Sequence, residues 1–176
     1  MSVLLIGGSL RSGSGNAAVL GTAATFAPSV IYGGLGDLPH FNPDDDREPL
    51  HPAVAELRAA IKAADALLFC TPEYAGGLPG SFKNLLDWTV GGGEMDRKPV
   101  AWINAASVAS PTGAADAHES LRKVLGYAGT LIVEEAIARI PIPRDAVSDG
   151  LVQDPDLRRQ IGDVVEKLSG GNLGVR

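Results

Sequence analysis

The chain has little cysteine, few aromatic side chains, no cluster of basic residues and no long apolar run, and each shortage excludes a class of protein. One cysteine, Cys70, stands among 176 residues. It cannot form an internal disulfide, and a Cys-rich metal centre has no ligands. At the end of an apolar run, Cys70 reads as a buried small hydrophobe. Three histidines, His40, His51 and His118, are scattered with no partner at metal-ligand spacing. Surface or loop positions are expected for them, and no metal is expected. The net charge is −6, and no basic cluster exists to neutralise phosphates, so nucleic acid is not an expected partner. No apolar stretch approaches the roughly 20 residues that span a bilayer. The apolar start Val3-Leu4-Leu5-Ile6 is too short for a signal peptide and lacks a basic flank. The expectation is a cytoplasmic protein with no membrane partner.

Several motifs are also missing. No Lys-Ser/Thr pair follows a glycine-rich loop, so magnesium-dependent triphosphate hydrolysis lacks its parts. No Gly-x-Ser-x-Gly elbow offers a hydrolase nucleophile. Asp44-Asp45-Asp46 lacks the alternating spacing and terminal glutamate of a calcium loop and reads as a solvated acidic turn. Gly13-Ser14-Gly15-Asn16-Ala17-Ala18 approaches a dinucleotide fingerprint, but Gly13 falls well after Gly7, where the strand ends. A fingerprint glycine must turn the chain straight after the strand.

What is present is an alternation. Apolar runs at Val3–Ile6, Ser29–Tyr32, Ala66–Cys70, Pro99–Asn104 and from Leu131 read as strands. Between them, Ala17–Phe26, Pro52–Ala64, Pro79–Val90 and Ala114–Tyr127 read as helices, and a last helix opens at Pro155 with Asp154 as its cap. In the second helix Val54, Leu57 and Ile61 share one face, with Glu56, Arg58 and Lys62 off it. With no repeat or linker, the reading is one domain over residues 1–176. Strands alternating with helices imply a parallel sheet covered on both faces. Five strand–helix pairs ending in a helix favour the order 2-1-3-4-5 over a six-stranded dinucleotide fold. In that order the loops after the first and third strands share one crevice.

Those two loops are the most unusual in the chain. The first, Ser9 to Asn16, offers serine hydroxyls at Ser9, Ser12 and Ser14, the charge of Arg11, and a helix N-terminus whose dipole favours an anion. Ser14 or Asn16 can serve as a helix cap, but capping explains only one polar residue of several, and a monophosphate site accounts for the set. The other loop, Thr71 to Leu78, exceeds the usual two to six residues of a strand-to-helix connection. Pro72 fixes its backbone, and Gly76 and Gly77 allow close approach to a flat ligand. Glu73 reads as a salt-bridged or solvated group rather than a catalytic acid, and Tyr74 fits packing and ligand lining equally. A third loop, Ser107 to Gly113, is placed to cover a bound ring or to remain a plain solvated turn.

Together these residues resemble the NADPH-dependent FMN reductases, a flavodoxin-like family that includes quinone, chromate and azo-dye reductases. The resemblance rests on Gly8-Ser9-Leu10-Arg11 with Ser14 and Asn16, and on Thr71-Pro72-Glu73-Tyr74 continuing to Pro79-Gly80, Lys83-Asn84 and Asp87-Trp88. Leu38-Pro39 with Asn42-Pro43-Asp44 matches the family's second-strand loop. The resemblance implies a three-layer flavodoxin-like sandwich with FMN as cofactor and NADPH or NADH as co-substrate. It implies phosphate contacts from Ser9, Arg11, Ser14 and Asn16, and ring contacts from Pro72, Glu73, Tyr74, Gly76, Gly77 and Ser107. It also implies a homodimer or homotetramer.

Two departures stand out. Ala75 replaces the family's usual asparagine, which removes a side-chain contact. Gly113-Ala114 with Asp116 and His118 replaces a Gly-Gly pair, a basic residue and a glutamine. The implied activity is an NAD(P)H oxidoreductase that passes hydride to flavin and then electrons to a quinone, free flavin, azo or metal-ion acceptor. No side chain is expected to be catalytic in its own right. A flavodoxin-type electron carrier without turnover is the competing reading. Carriers are more acidic and richer in aromatics, which this chain is not.

Overall fold

In the computed structural model, residues 1–11, 13–108, 110 and 112–170 are described. Strand β1, Val3–Gly7, lies at the centre between β2, Ser29–Tyr32, and β3, Ala66–Cys70. Strand β4, Pro99–Asn104, follows on the other side of β3, and β5, Leu131–Ile132, pairs with the start of β4. All these pairings are parallel, in the order β2-β1-β3-β4-β5. The expected order is therefore found.

The fifth strand is interrupted. After Ile132 a helical turn at Glu134–Ala136 lifts the chain off the sheet, and β6, Ala138–Arg139, rejoins it against Ile103 and Asn104. Beyond it lies a hairpin absent from the sequence reading: β7, Val147–Ser148, and β8, Leu151–Val152, joined by Asp149 and Gly150. Both turn residues have positive φ, 51° and 74°. An Asp-Gly pair between apolar residues is the standard signal for this turn.

Alternation along β1 sorts the core into two layers. Val3 and Leu5 face α1, Gly15–Ala23, and α5, Pro155–Gly170. Leu4 and Ile6 face α2, Pro52–Ala63, α3, Gly80–Val90, and α4, Ala115–Tyr127. Every residue of β3 is buried, as a strand covered on both faces requires. Asp154 caps α5 by accepting from the N–H groups of Asp156 and Leu157, as expected. No helix among the described residues is long and apolar enough to cross a membrane.

Two expectations fail on buried charge. Arg58 does not leave α2 for solvent; it is buried, and its guanidinium donates twice to the Trp88 carbonyl near the end of α3, at 3.0 and 2.8 Å. Its partner is Asp46, 2.7 Å away, so the acidic turn is not simply solvated. A helix C-terminus leaves carbonyls without intrahelical donors, and a guanidinium fork satisfies one of them here.

Candidate functional site

The parallel pairing of β1 with β3 brings their carboxyl ends level, Gly7 beside Cys70. The Gly8 N–H then donates to the Cys70 carbonyl at 3.0 Å. A β-carbon on Gly8 would sit 2.1 Å from Thr71 Oγ1, so no side chain fits at this junction. Gly8, quoted above only as part of a motif, lets the two loops share a crevice.

From there the first loop runs outward. The Arg11 N–H donates to Ser9 Oγ at 3.1 Å, and the same oxygen lies 3.3 Å from the Tyr74 hydroxyl. Ser9 and Tyr74 thus join the first loop to the second. Ser14 is the N-cap of α1 and accepts the Ala17 N–H at 3.1 Å; its own hydroxyl hydrogen remains able to donate. The cap and the phosphate readings of Ser14 are therefore compatible. Asn16 stands in the first turn of α1, and its Oδ1 accepts the Cys70 thiol at 3.2 Å. The Arg11 side chain is exposed and makes no ion pair among the described residues. Ser12 lies outside the described residues.

The second loop has a tight tip. Tyr74 and Gly77 exchange both backbone hydrogen bonds, at 3.0 and 3.1 Å, around Ala75 and Gly76. Those two carry φ of 50° and 73°, the signature of a type I′ turn. The N–H groups of Tyr74 and Gly77 are consumed by the bridge, which leaves those of Ala75 and Gly76 at the tip. Pro72 is half-buried behind it. A β-carbon on Gly77 would meet nothing within 4 Å, so the backbone there opens on free space.

Glu73 turns away from the tip. Its carboxylate accepts the Thr112 hydroxyl at 2.6 Å and the Ala117 N–H at 3.0 Å, capping α4 across 44 residues of sequence. The Thr112 hydroxyl, followed by the N–H groups of the first turn of α4, holds its acidity below the ordinary carboxylate range. Glu73 is neither salt-bridged nor simply solvated, but a cap that fixes the third loop to the second.

Asn104, at the end of β4, was not singled out by sequence. It is buried, donates to the Gly113 carbonyl at 2.7 Å and accepts the Ala106 N–H at 3.0 Å, closing the third loop on itself. An asparagine ending an apolar strand was the available signal. Ser107 is exposed on this loop, which also contains Ala109 and Pro111, outside the described residues. The Ser107 carbonyl accepts the Ser110 N–H at 2.9 Å, a turn within the third loop.

Each of the three loops carries an exposed apolar side chain: Leu10 at 63%, Tyr74 at 51% and Val108 at 82% exposure. His118 corrects the expectation that the histidines lie on surface or loops. It is 8% exposed on α4, with Nδ1 2.7 Å from the Ala114 carbonyl and Nε2 buried without a partner.

A family model described as NADPH-dependent FMN reductase matches residues 1–141. Among curated relatives, a probable NADPH:quinone oxidoreductase of Oryza sativa is 32% identical over 96% of this chain and 87% of its own length. An NAD(P)H-dependent FMN reductase of Pseudomonas aeruginosa is 40% identical over 72% of this chain and 70% of its own length. An NADPH azoreductase of a Bacillus species is 34% identical over 76% of this chain and 71% of its own length. Among solved structures, the flavoenzyme FerB of Paracoccus denitrificans, an NAD(P)H:(acceptor) oxidoreductase, superposes with a TM-score of 0.80 at 29% identity, covering 96% and 97% of the two chains. A flavodoxin of Pseudomonas aeruginosa, 19% identical with a TM-score of 0.62 over 97% of this chain and all of its own, shares the fold.

Proposed function

The chain belongs to the NADPH-dependent FMN reductase family, and from that premise we propose that the crevice between the loops after β1 and β3 holds FMN. The chemistry FMN supplies when bound is acceptance of hydride from NADPH or NADH and delivery of the electrons to a second acceptor. The residues present fit such a group. Arg11, the hydroxyls of Ser9 and Ser14, the Asn16 amide and the first-turn N–H groups of α1 form a donor set suited to a phosphate. The free N–H groups of Ala75 and Gly76 suit the row of carbonyl oxygens and ring nitrogens on the polar edge of a flavin. Pro72, Tyr74 and Gly77 shape that wall, and Ser107 stands on the loop that covers the ring.

The observation that supports this reading is a helix start rich in hydrogen-bond donors and a backbone tip brought together after β1 and β3 and joined through Ser9 and Tyr74. Glu73 contributes by position: it holds the covering loop and α4 against the tip. No side chain need move a proton between reactants. The exposed apolar side chains of Leu10, Tyr74 and Val108 suit a flat, poorly charged acceptor, which favours a quinone or azo compound within the wider set of free flavin and metal ions. The same side chains support association into a homodimer or homotetramer with the crevice near the contact. The whole chain acts as one FMN-binding domain in the cytoplasm.

The test is direct. Purified protein incubated with FMN should acquire flavin absorbance and oxidise NADPH or NADH when a benzoquinone is supplied. Arg11→Ala should weaken FMN binding by about tenfold or more while leaving riboflavin binding nearly unchanged. Absence of flavin binding at micromolar concentration overturns the reading. Binding without nicotinamide oxidation replaces it with an electron carrier.

A further inference from the structure

Cys70 ends β3 beneath the meeting point of the three loops and is fully buried. The first turn of α1 lies to one side of it and the start of the third loop to the other. Its thiol lies 3.2 Å from Asn16 Oδ1, and the backbone N–H of Ala105, the first residue after β4, interacts with the sulfur. A thiol has one hydrogen to donate and sulfur lone pairs to accept with. In the structure the sulfur accepts from Ala105 and the thiol hydrogen goes to Asn16 Oδ1.

The polarity matters because of what it does to Asn16. A side-chain amide has an acceptor end and a donor end, and either can face a neighbour. Only the oxygen can face a thiol that donates. The Asn16 amide nitrogen then faces away from Cys70 and makes no hydrogen bond among the described residues. Its two hydrogens remain for an anion at the N-terminus of α1. We propose that Cys70 is a positioning residue that turns the Asn16 amide so that its N–H2 serves the phosphate end of the crevice. This rests on the assignment of that end to phosphate.

Burial supports the arrangement. It pushes the Cys70 thiol far above the ordinary range, so the sulfur keeps the proton it donates. The same burial makes the residue inert to the redox chemistry of its own site. What passes as a small core hydrophobe in sequence therefore holds one hydrogen in one direction.

The experiment compares FMN with riboflavin affinity in Cys70→Ser, Cys70→Ala and Cys70→Val, alone and combined with Asn16→Ala. Serine can donate as the thiol does, and valine fills the space with no donor. The ratio of FMN to riboflavin affinity should hold in Cys70→Ser and fall by about two- to tenfold in both Cys70→Ala and Cys70→Val. In an Asn16→Ala background the same two changes should have no further effect on the ratio. If Asn16→Ala lowers the ratio but the Cys70 variants do not, the positioning role is overturned and the phosphate site stands. If Asn16→Ala leaves the ratio unchanged, the phosphate assignment of Asn16 falls, and this inference with it.

Discussion

The carboxylate of Glu73 accepts the backbone N–H of Ala117 at 3.0 Å, so a residue of the loop after β3 caps the helix after β4. Early N–H groups of a helix have no intrahelical acceptor, and the N-cap position of α4 is Ala114, whose methyl group cannot accept a hydrogen bond. Its φ of 58° is a further sign that the helix start is held from outside. The hydrogen bonds from Thr112 and Ala117 hold the Glu73 carboxyl below its ordinary value near 4.5. A depressed folded value means that the stabilisation is full above the unfolded value and disappears as pH falls through the folded one. Glu73→Gln should therefore lower the urea midpoint at neutral pH, with the gap to the parent closing under acid conditions below the carboxylate range. A gap that persists unchanged in acid would show that the charge plays no part.

Ala75 offers a second prediction, on backbone strain. Its φ is 50°, a left-handed conformation that costs an ordinary L-residue roughly 1–2 kcal/mol and that asparagine and glycine tolerate. The sequence resemblance treats the missing asparagine as a lost contact. The geometry adds that asparagine is also the better backbone residue at this turn. Ala75→Asn should raise thermal stability by roughly 0.5–1 kcal/mol without flavin present. Calorimetry of the apoprotein checks it, because any gain there owes nothing to a cofactor contact.

Much of this architecture is legible in the chain. Each strand is an apolar run bounded by glycine, proline or a polar loop, and the order follows from the count of strand–helix pairs. What escapes is whatever depends on residues distant in sequence. Arg58 reads as a solvent residue on α2 because its partners, Asp46 and the Trp88 carbonyl, belong to other elements. Glu73 reads as a salt-bridged or solvated carboxylate because the helix it caps begins 42 residues later at Ala115. Asn104 and Cys70 sit at strand ends, where one polar group can tie a loop, yet their apolar neighbours mark them as core. The Asp149-Gly150 hairpin is different: its signal is local and clear. It lies between the fifth strand that begins at Leu131 and the last helix, a stretch to which the sequence reading assigned no element.

His118 carries the last prediction, in a pH window separate from that of Glu73. Its Nδ1 faces the Ala114 carbonyl at 2.7 Å, which places the proton of the neutral ring on Nδ1 and leaves Nε2 bare. Nε2 is buried without a partner, so a second proton would enter a site that offers it no acceptor. Burial lowers the ring's affinity for that proton and outweighs the opposing pull of the Ala114 carbonyl and the Glu73 carboxylate, so the folded value falls below the ordinary 6.5. Between the two values the unfolded chain binds more protons than the folded one, and stability therefore rises with pH. The parent protein should lose thermal stability as pH falls below about 6.5. His118→Leu should flatten the melting temperature across that window while leaving the carboxylate-dependent loss in stronger acid. An unchanged slope in His118→Leu would assign the dependence to another group.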